Sequence, residues 1–440
     1  MAVAARSFFS LTLGLLLVAC TSLPEGRHAM TANSLDPIAE DFVRLTLEIG
    51  EREPGYVDAY YGPEQWAAEA KADPRTVPEL REATQALTSQ ARAVDPAGLA
   101  PMEQRRRDFL LAQLKAAETR LRMLSGEELA FDDEAEGLFD VRPVLKRLSD
   151  YDAALAELER LVPGDGPLWR RVNAQSERTV IPEDRLEAVM RAAIAECRRR
   201  TAEHIALPPG ERFTLEFVTG QPWSGYNWYK GDANSLIQIN TDLPVLMSRA
   251  VDLGCHEGYP GHHVLNMLLE QGLSKARGWQ EFTVYPLYSP QSFIAEGTAN
   301  YGIELAFDDA ERLAFERDVL YPLAGLDPAL AAEDHRLRLA RSRLSGARFT
   351  IARDYLDGRI DRAAALRLAQ KYQLLSPERA EQSIAFTEKY RSYVINYGLG
   401  LDAARAYVEG AGESEAARWA AMERVLSEPT LPSDLERTGR

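Results

Sequence analysis

Pro260 constrains this chain more than any other residue, because it stands four positions after His256 in the run His256-Glu257-Gly258-Tyr259-Pro260-Gly261-His262-His263. Proline lacks the backbone N–H, and its ring clashes with the carbonyl four residues back, here that of His256, so no regular helix can pass through this stretch. The run nevertheless gathers three of the six histidines beside a carboxylate. That is the chemistry of a metal site that splits bonds with water: two imidazoles converge on the cation and a carboxylate next to the first takes a proton. In an unbroken helix the second imidazole stands at i+4, on the same face. Here that position is the proline, so a kink or bulge is required. At about 100° per residue, His263 (i+7) returns to the face of His256 but lies roughly 10 Å further along the axis, while His262 (i+6) is about 120° off that face. If Pro260 and Gly261 loop out, His262 is the second ligand. If the helix only kinks, His263 is. Both stay open, with His256 as the first ligand and Glu257 as the general base.

A three-ligand site needs one more donor. The segment Phe293-Ile294-Ala295-Glu296-Gly297-Thr298-Ala299-Asn300-Tyr301 reads as a helix carrying one acid among small and apolar neighbours. Glu296 is therefore expected to point inward, where a cation would partner its buried charge.

The HExxPGHH pattern followed by an E-G-x-A-x-Y helix resembles a large family of bacterial lipoproteins and secreted proteins, a domain of unknown function related to the gluzincin metallopeptidases. In that family the downstream helix often reads E-G-W-A-x-Y-A-E; here Thr298 and Ile303 replace the tryptophan and the second glutamate. Asn396-Tyr397-Gly398-Leu399-Gly400 is similar to the family's S-Y-x-x-G near the C-terminus. The resemblance spans residues 215–410. It implies a mainly α, gluzincin-like fold, one zinc ion held by His256, a second histidine and Glu296, and Glu257 as base. Tyr397 would be the oxyanion donor. It supplies no substrate.

The first nineteen residues carry one charge, Arg6, then an apolar run from Phe8 to Ala19, too short to span a bilayer. They read as a signal peptide, and Leu17-Val18-Ala19-Cys20 resembles a bacterial lipobox, which implies cleavage before Cys20 and acylation of its sulfur. Thr21 stands where inner-membrane retention would place aspartate, so an outer-membrane lipoprotein facing the periplasm is expected. A formal charge of −16 disfavours nucleic acid and anionic headgroups, which need basic patches. Contact with the membrane then comes through the N-terminal lipid alone. Cys197 and Cys255 are the remaining cysteines, so at most one disulfide is possible. Cys255 abuts His256 but points about 100° away on a helix, and reads as a small packing residue.

The remaining chain divides into Cys20 with a polar tether to residue 34, a helical part over 35–205, a metal-site part over 206–426 and a loose tail over 427–440. Amphipathic helices are expected at 36–50, 101–124, 141–162 and 183–204, and again at 376–395. Residues 213–218 and 235–240 alternate like strands on either side of a Gly- and aromatic-rich loop, giving a small hairpin or sheet beside the metal-site helix. An exposed strand edge suits a peptidase, since it can pair with an extended peptide. Tyr226 and Trp228, with Trp223 and Asn240, are the candidates to line its cleft. The expectation is a zinc-dependent hydrolase acting on a peptide or other amide. The rival readings are a non-catalytic metal-binding envelope lipoprotein and a zinc amidase or esterase.

Overall fold

The computed structural model describes residues 34–436. The signal peptide, Cys20 and all of the tether but residue 34 lie outside the described residues. Among the described residues no helix is long and apolar enough to cross a membrane.

The fold is mainly α, with one two-stranded and one three-stranded sheet. Its first helix, Asp36–Arg52, opens with a proline in its first turn and buries Ile38, Phe42, Leu45 and Ile49 along one stripe. Pro101–Leu124 and Glu183–Ala202 form as their periodicity predicts. The helix expected over 141–162 is shorter: it covers Asp152–Leu161, after a 3-10 turn at Leu148–Tyr151. Pro143 accounts for this, since it biases the residue before it away from helix and offers no N–H.

The strand reading needs a larger correction. β1 (Val57–Tyr60) pairs with β5 (Val284–Pro286). β2 (Arg212–Val218) lies parallel to β4 (Asn234–Asn240), and the supposed aromatic loop contains β3 (Gly225–Tyr229), antiparallel to β4. The order is β2-β4-β3, so the two expected strands are neighbours but not a hairpin; β3 and β4 make the hairpin, and β3 is an edge. The turn between them carries three successive residues with positive φ, Gly231, Asp232 and Ala233.

Two apolar cores meet at the helix Pro290–Ala306. Phe293 and Ile294 belong to the core of the N-terminal helices, Ala295 and Tyr301 to the core around the three-stranded sheet. Thirteen of its residues are buried, every one from Pro290 to Ala299 among them, so Glu296 has no solvent to turn to. Cys197 of Glu183–Ala202 is joined by a disulfide to Cys255, which is therefore a cross-link and not just a packing residue. At the C-terminus Pro432–Leu435 is a short helix with Leu431 and Leu435 buried, so the stretch through Glu436 is packed where a loose tail was expected.

Candidate metal centre

The helix Ser248–Leu253 widens into a π turn over Gly254–Gly258, breaks at a cis Tyr259–Pro260 peptide and restarts as His262–Leu269. The Gly261 N–H closes the break by donating to the Cys255 carbonyl at 3.0 Å. A Cβ on Gly261 would stand 1.8 Å from the His256 carbonyl oxygen, so only glycine fits there. With Tyr259 to Gly261 out of the helix, His262 lands against His256: their Nε2 atoms are 3.1 Å apart.

Glu296 completes the group. Its Oε2 lies 3.2 Å from His256 Nε2 and 3.8 Å from His262 Nε2, is buried, and accepts no hydrogen bond. Donors about 2.0–2.2 Å from a tetrahedral zinc are about 3.3–3.6 Å from one another. The three atoms therefore fit one ion, and the orphaned oxygen is what such an ion would satisfy. Glu257 is the other carboxylate within reach. Its oxygen lies inside 4.8 Å of both imidazoles but makes no ion pair with either, and it is 5% exposed. The two carboxylates thus stand at different distances from the imidazole pair, Glu296 in direct contact and Glu257 set back from it.

Neighbouring groups hold these side chains in place. Asn300, one turn beyond Glu296, gives its Nδ2–H to the Tyr397 carbonyl at 2.9 Å, which leaves its Oδ1 to accept from His256 Nδ1 at 3.0 Å. The proton on Nδ1 turns the Nε2 lone pair towards the donor set. Tyr393 donates to Glu296 Oε1 at 2.7 Å. Asn227 of β3 donates to the Glu257 carbonyl at 2.6 Å, tying the sheet to the motif. Sequence reasoning missed all three; the spacing of four from Glu296 to Asn300 and from Tyr393 to Tyr397 is the only signal that could have found two of them.

Electrostatics also mark the centre. Burial disfavours a charge on His256, yet the Glu296 carboxylate 3.2 Å from its Nε2 and the charge of Glu257 raise its pKa to about 9. Burial, helped by the charge on His256, lowers His262 to about 4. Burial pushes Glu257 up to about 7, with the nearby carboxylates of Glu296 and Asp58 adding to the effect. Without a metal the donor set thus holds one proton facing Glu296, where a cation would otherwise sit.

The other expected site residues are placed less uniformly. His263 faces away from the centre: it is fully buried, with Nδ1 2.7 Å from Ser235 Oγ and Nε2 3.4 Å from Glu211. The Tyr397 ring stacks 6.4 Å from that of His256, and its hydroxyl has no hydrogen-bond partner among the described residues. The rings of Tyr226 and Trp228 lie 4.5 Å apart, tilted by 44°, on the face of β3 opposite Asn227; the Tyr226 hydroxyl donates to Asp58 and Trp228 Nε1 to Gln238. A cavity of 590 Å³ opens beside Tyr397, and of the cleft candidates Trp223 and Asn240 line it. The Asn240 amide is committed to the carbonyls of Gln221 and Trp223, so it braces the loop ahead of β3 and has no free donor for a substrate.

No family model matches the chain, and no curated protein matches it. Solved structures similar to it include an inferred lipoprotein from Colwellia psychrerythraea, at 15% identity and a TM-score of 0.49, covering 82% of this chain and 69% of that one. Another, from Shewanella oneidensis, is an inferred lipoprotein of unknown function, at 14% identity and a TM-score of 0.46, covering 91% and 81%. A third is an M32 carboxypeptidase from Deinococcus radiodurans R1, at 14% identity and a TM-score of 0.42, covering 91% and 94%. What the site can do rests on its own side chains.

Proposed function

We propose that this chain is a zinc-dependent hydrolase, a metallopeptidase with Glu257 as its general base. The observation that carries the reading is the convergence of His256 Nε2, His262 Nε2 and the orphaned Glu296 Oε2 within 3.8 Å of one another, with Glu257 just outside that group. Zinc bound there would polarise a substrate carbonyl and make water acidic near neutral pH. Glu257 then takes the proton of the attacking water and returns it to the leaving amine. Tyr397 donates its unengaged hydroxyl to the developing oxyanion. Among the described residues β3 pairs only with β4, and its other edge receives the extended backbone of the substrate. Asn300 and Tyr393 act through the ligands by fixing the His256 tautomer and the Glu296 carboxylate. The chain is exported and anchored through acylated Cys20; the Cys197–Cys255 disulfide supports an oxidising compartment.

A peptide library should reveal hydrolysis that chelator abolishes and zinc restores. In the Glu257→Gln protein bound zinc should stay stoichiometric while turnover falls roughly 10²-fold or more, because the amide keeps size and hydrogen bonding but cannot take the proton. Undiminished turnover in that variant would remove Glu257 as base. Zinc bound with no hydrolysis of any peptide would leave a metal-binding envelope protein instead.

A further inference from the structure

The cavity beside Tyr397 carries a group of arginines that the hydrolytic step does not use. Arg341, Arg348 and Arg379 all line it, and none makes an ion pair among the described residues: of the two carboxylates that also line the cavity, Asp252 pairs with Arg249 and Arg312, and Asp334 accepts from Tyr321. Their helix neighbours differ: Arg338, Arg343 and Arg353 reach Asp309, Glu157 and Asp354. In a chain with 67 acidic residues against 51 basic ones, three guanidinium groups left without an ion pair in one pocket are not explained by surface solvation. Each is partly buried. Arg341 has one long contact to Ser176 Oγ at 3.5 Å, and Arg348 lies over the rings of Phe386 and Tyr397. Burial lowers the pKa of all three; at Arg341 the neighbouring Arg379 and Arg249 add to the effect and Asp334 offsets part of it, at Arg348 Tyr397 and Glu296 offset part of it, and at Arg379 Arg249 adds to it. Such an arrangement is costly for the protein alone and is relieved by an anion, which guanidinium groups take in bidentate fashion.

The pocket is also joined to the metal centre. The Arg348 guanidinium is 5.5 Å from the Tyr397 ring centre, and that ring is 6.4 Å from the His256 ring. At ~3.3 Å per residue, a few residues of extended peptide bridge the two. The volume of 590 Å³ lies within the roughly 300–1,000 Å³ typical of ligand pockets.

We propose that this cavity is the anion pocket of the substrate, in which Arg341, Arg348 and Arg379 receive a carboxylate of the peptide cut at the metal centre. The assignment rests on the peptidase reading. It makes this an enzyme for peptides with either a free C-terminus or an acidic side chain a few residues from the scissile bond.

Calorimetric titration of the zinc-loaded Glu257→Gln protein tests this without turnover. The probes are N-acetyl-tetraalanine as the free acid, its C-terminal amide, and the same amide with glutamate at the third position. The free acid should bind about tenfold or more tightly than the plain amide. An affinity recovered by the glutamate-bearing amide assigns the carboxylate to a side chain; no recovery assigns it to the terminus. Adding Arg341→Met and Arg379→Met together should erase the preference, and the paired lysine replacements, which keep the charge, should retain part of it. Equal binding of the three probes, or a preference that survives the methionine pair, overturns the proposal; the probe comparison needs no arginine variant to fold. The two readings also separate in the unmodified protein. Hydrolysis without carboxylate preference removes the pocket and leaves the peptidase. Arginine-dependent binding without hydrolysis leaves the pocket and removes the peptidase.

Discussion

His262 and His263 are neighbours in sequence, yet their side chains serve opposite purposes because residues 259–261 leave the helix and set where each ring points. His262 meets His256 and Glu296, while His263 is enclosed by Ser235, Glu211 and the rings of Tyr229 and Tyr259. The two alanine replacements should therefore diverge. His262→Ala should lose bound zinc with little change in melting temperature of the metal-free protein. His263→Ala should keep zinc but lower stability by about 1–3 kcal/mol, because it leaves the Ser235 hydroxyl and a Glu211 contact buried without their partner. Metal analysis paired with thermal melts of chelated samples reads both, and zinc loss from His263→Ala would reverse the assignment. The donor types and the broken helix could be read from the sequence. The choice of histidine could not, since it depends on how many residues leave the helix, which is a property of the backbone path and not of residue type. The orienting roles of Asn300 and Tyr393 were hidden for a related reason: each acts through a partner distant in the chain.

β3 is the element that sequence reasoning misplaced, and the cause is physical. Its five residues, Gly-Tyr-Asn-Trp-Tyr, put Asn227 and Tyr229 inward and Tyr226 and Trp228 outward, so aromatic residues appear on both faces, the amide on the buried one, and no hydrophobic alternation survives. β2 and β4 kept that alternation and could be recognised, although their parallel pairing is not a local property. Gly225, at the start of β3, has a specific task. An added Cβ there would lie 2.8 Å from Glu257 Oε1 and 2.8 Å from Leu253 Cδ2, so Gly225→Ala must push on the carboxylate or move the strand. Zinc content should be unchanged in that variant while turnover drops up to about 10²-fold, the cost of misplacing a reacting group by about 1 Å. Full activity in Gly225→Ala, checked on the zinc-replete protein, would mean that the position of Glu257 is not set by this strand.

On the scale of the whole molecule, the helical class followed from long periodic segments such as Asp36–Arg52 and Glu183–Ala202, whereas the packed C-terminus did not, because the burial of Leu431 and Leu435 depends on distant helices. The proposed attachment to a membrane is tested at the other end of the chain. Cys20→Ser should leave the protein as unprocessed precursor or shift it out of the membrane fraction; unchanged processing and fractionation would point to an ordinary signal peptide. A single acyl chain binds only marginally, so stable anchoring needs two or more. The Cys197–Cys255 bond closes a loop of 58 residues, worth about 4 kcal/mol in a chain-entropy account. All three strands of the sheet and the helix Ser248–Leu253 lie inside that loop, and His256 is the first residue past it. The edge strand is therefore part of a covalent ring, and the first imidazole stands on the residue that follows the ring's closing cysteine. A protease that cuts the ring once, in the exposed stretch ahead of β3 for example, opens it into a linear piece without releasing either end. The severed strands stay tethered to the helix of His256 at high effective concentration, so a single scission in this part of the molecule does not dismantle the donor cluster.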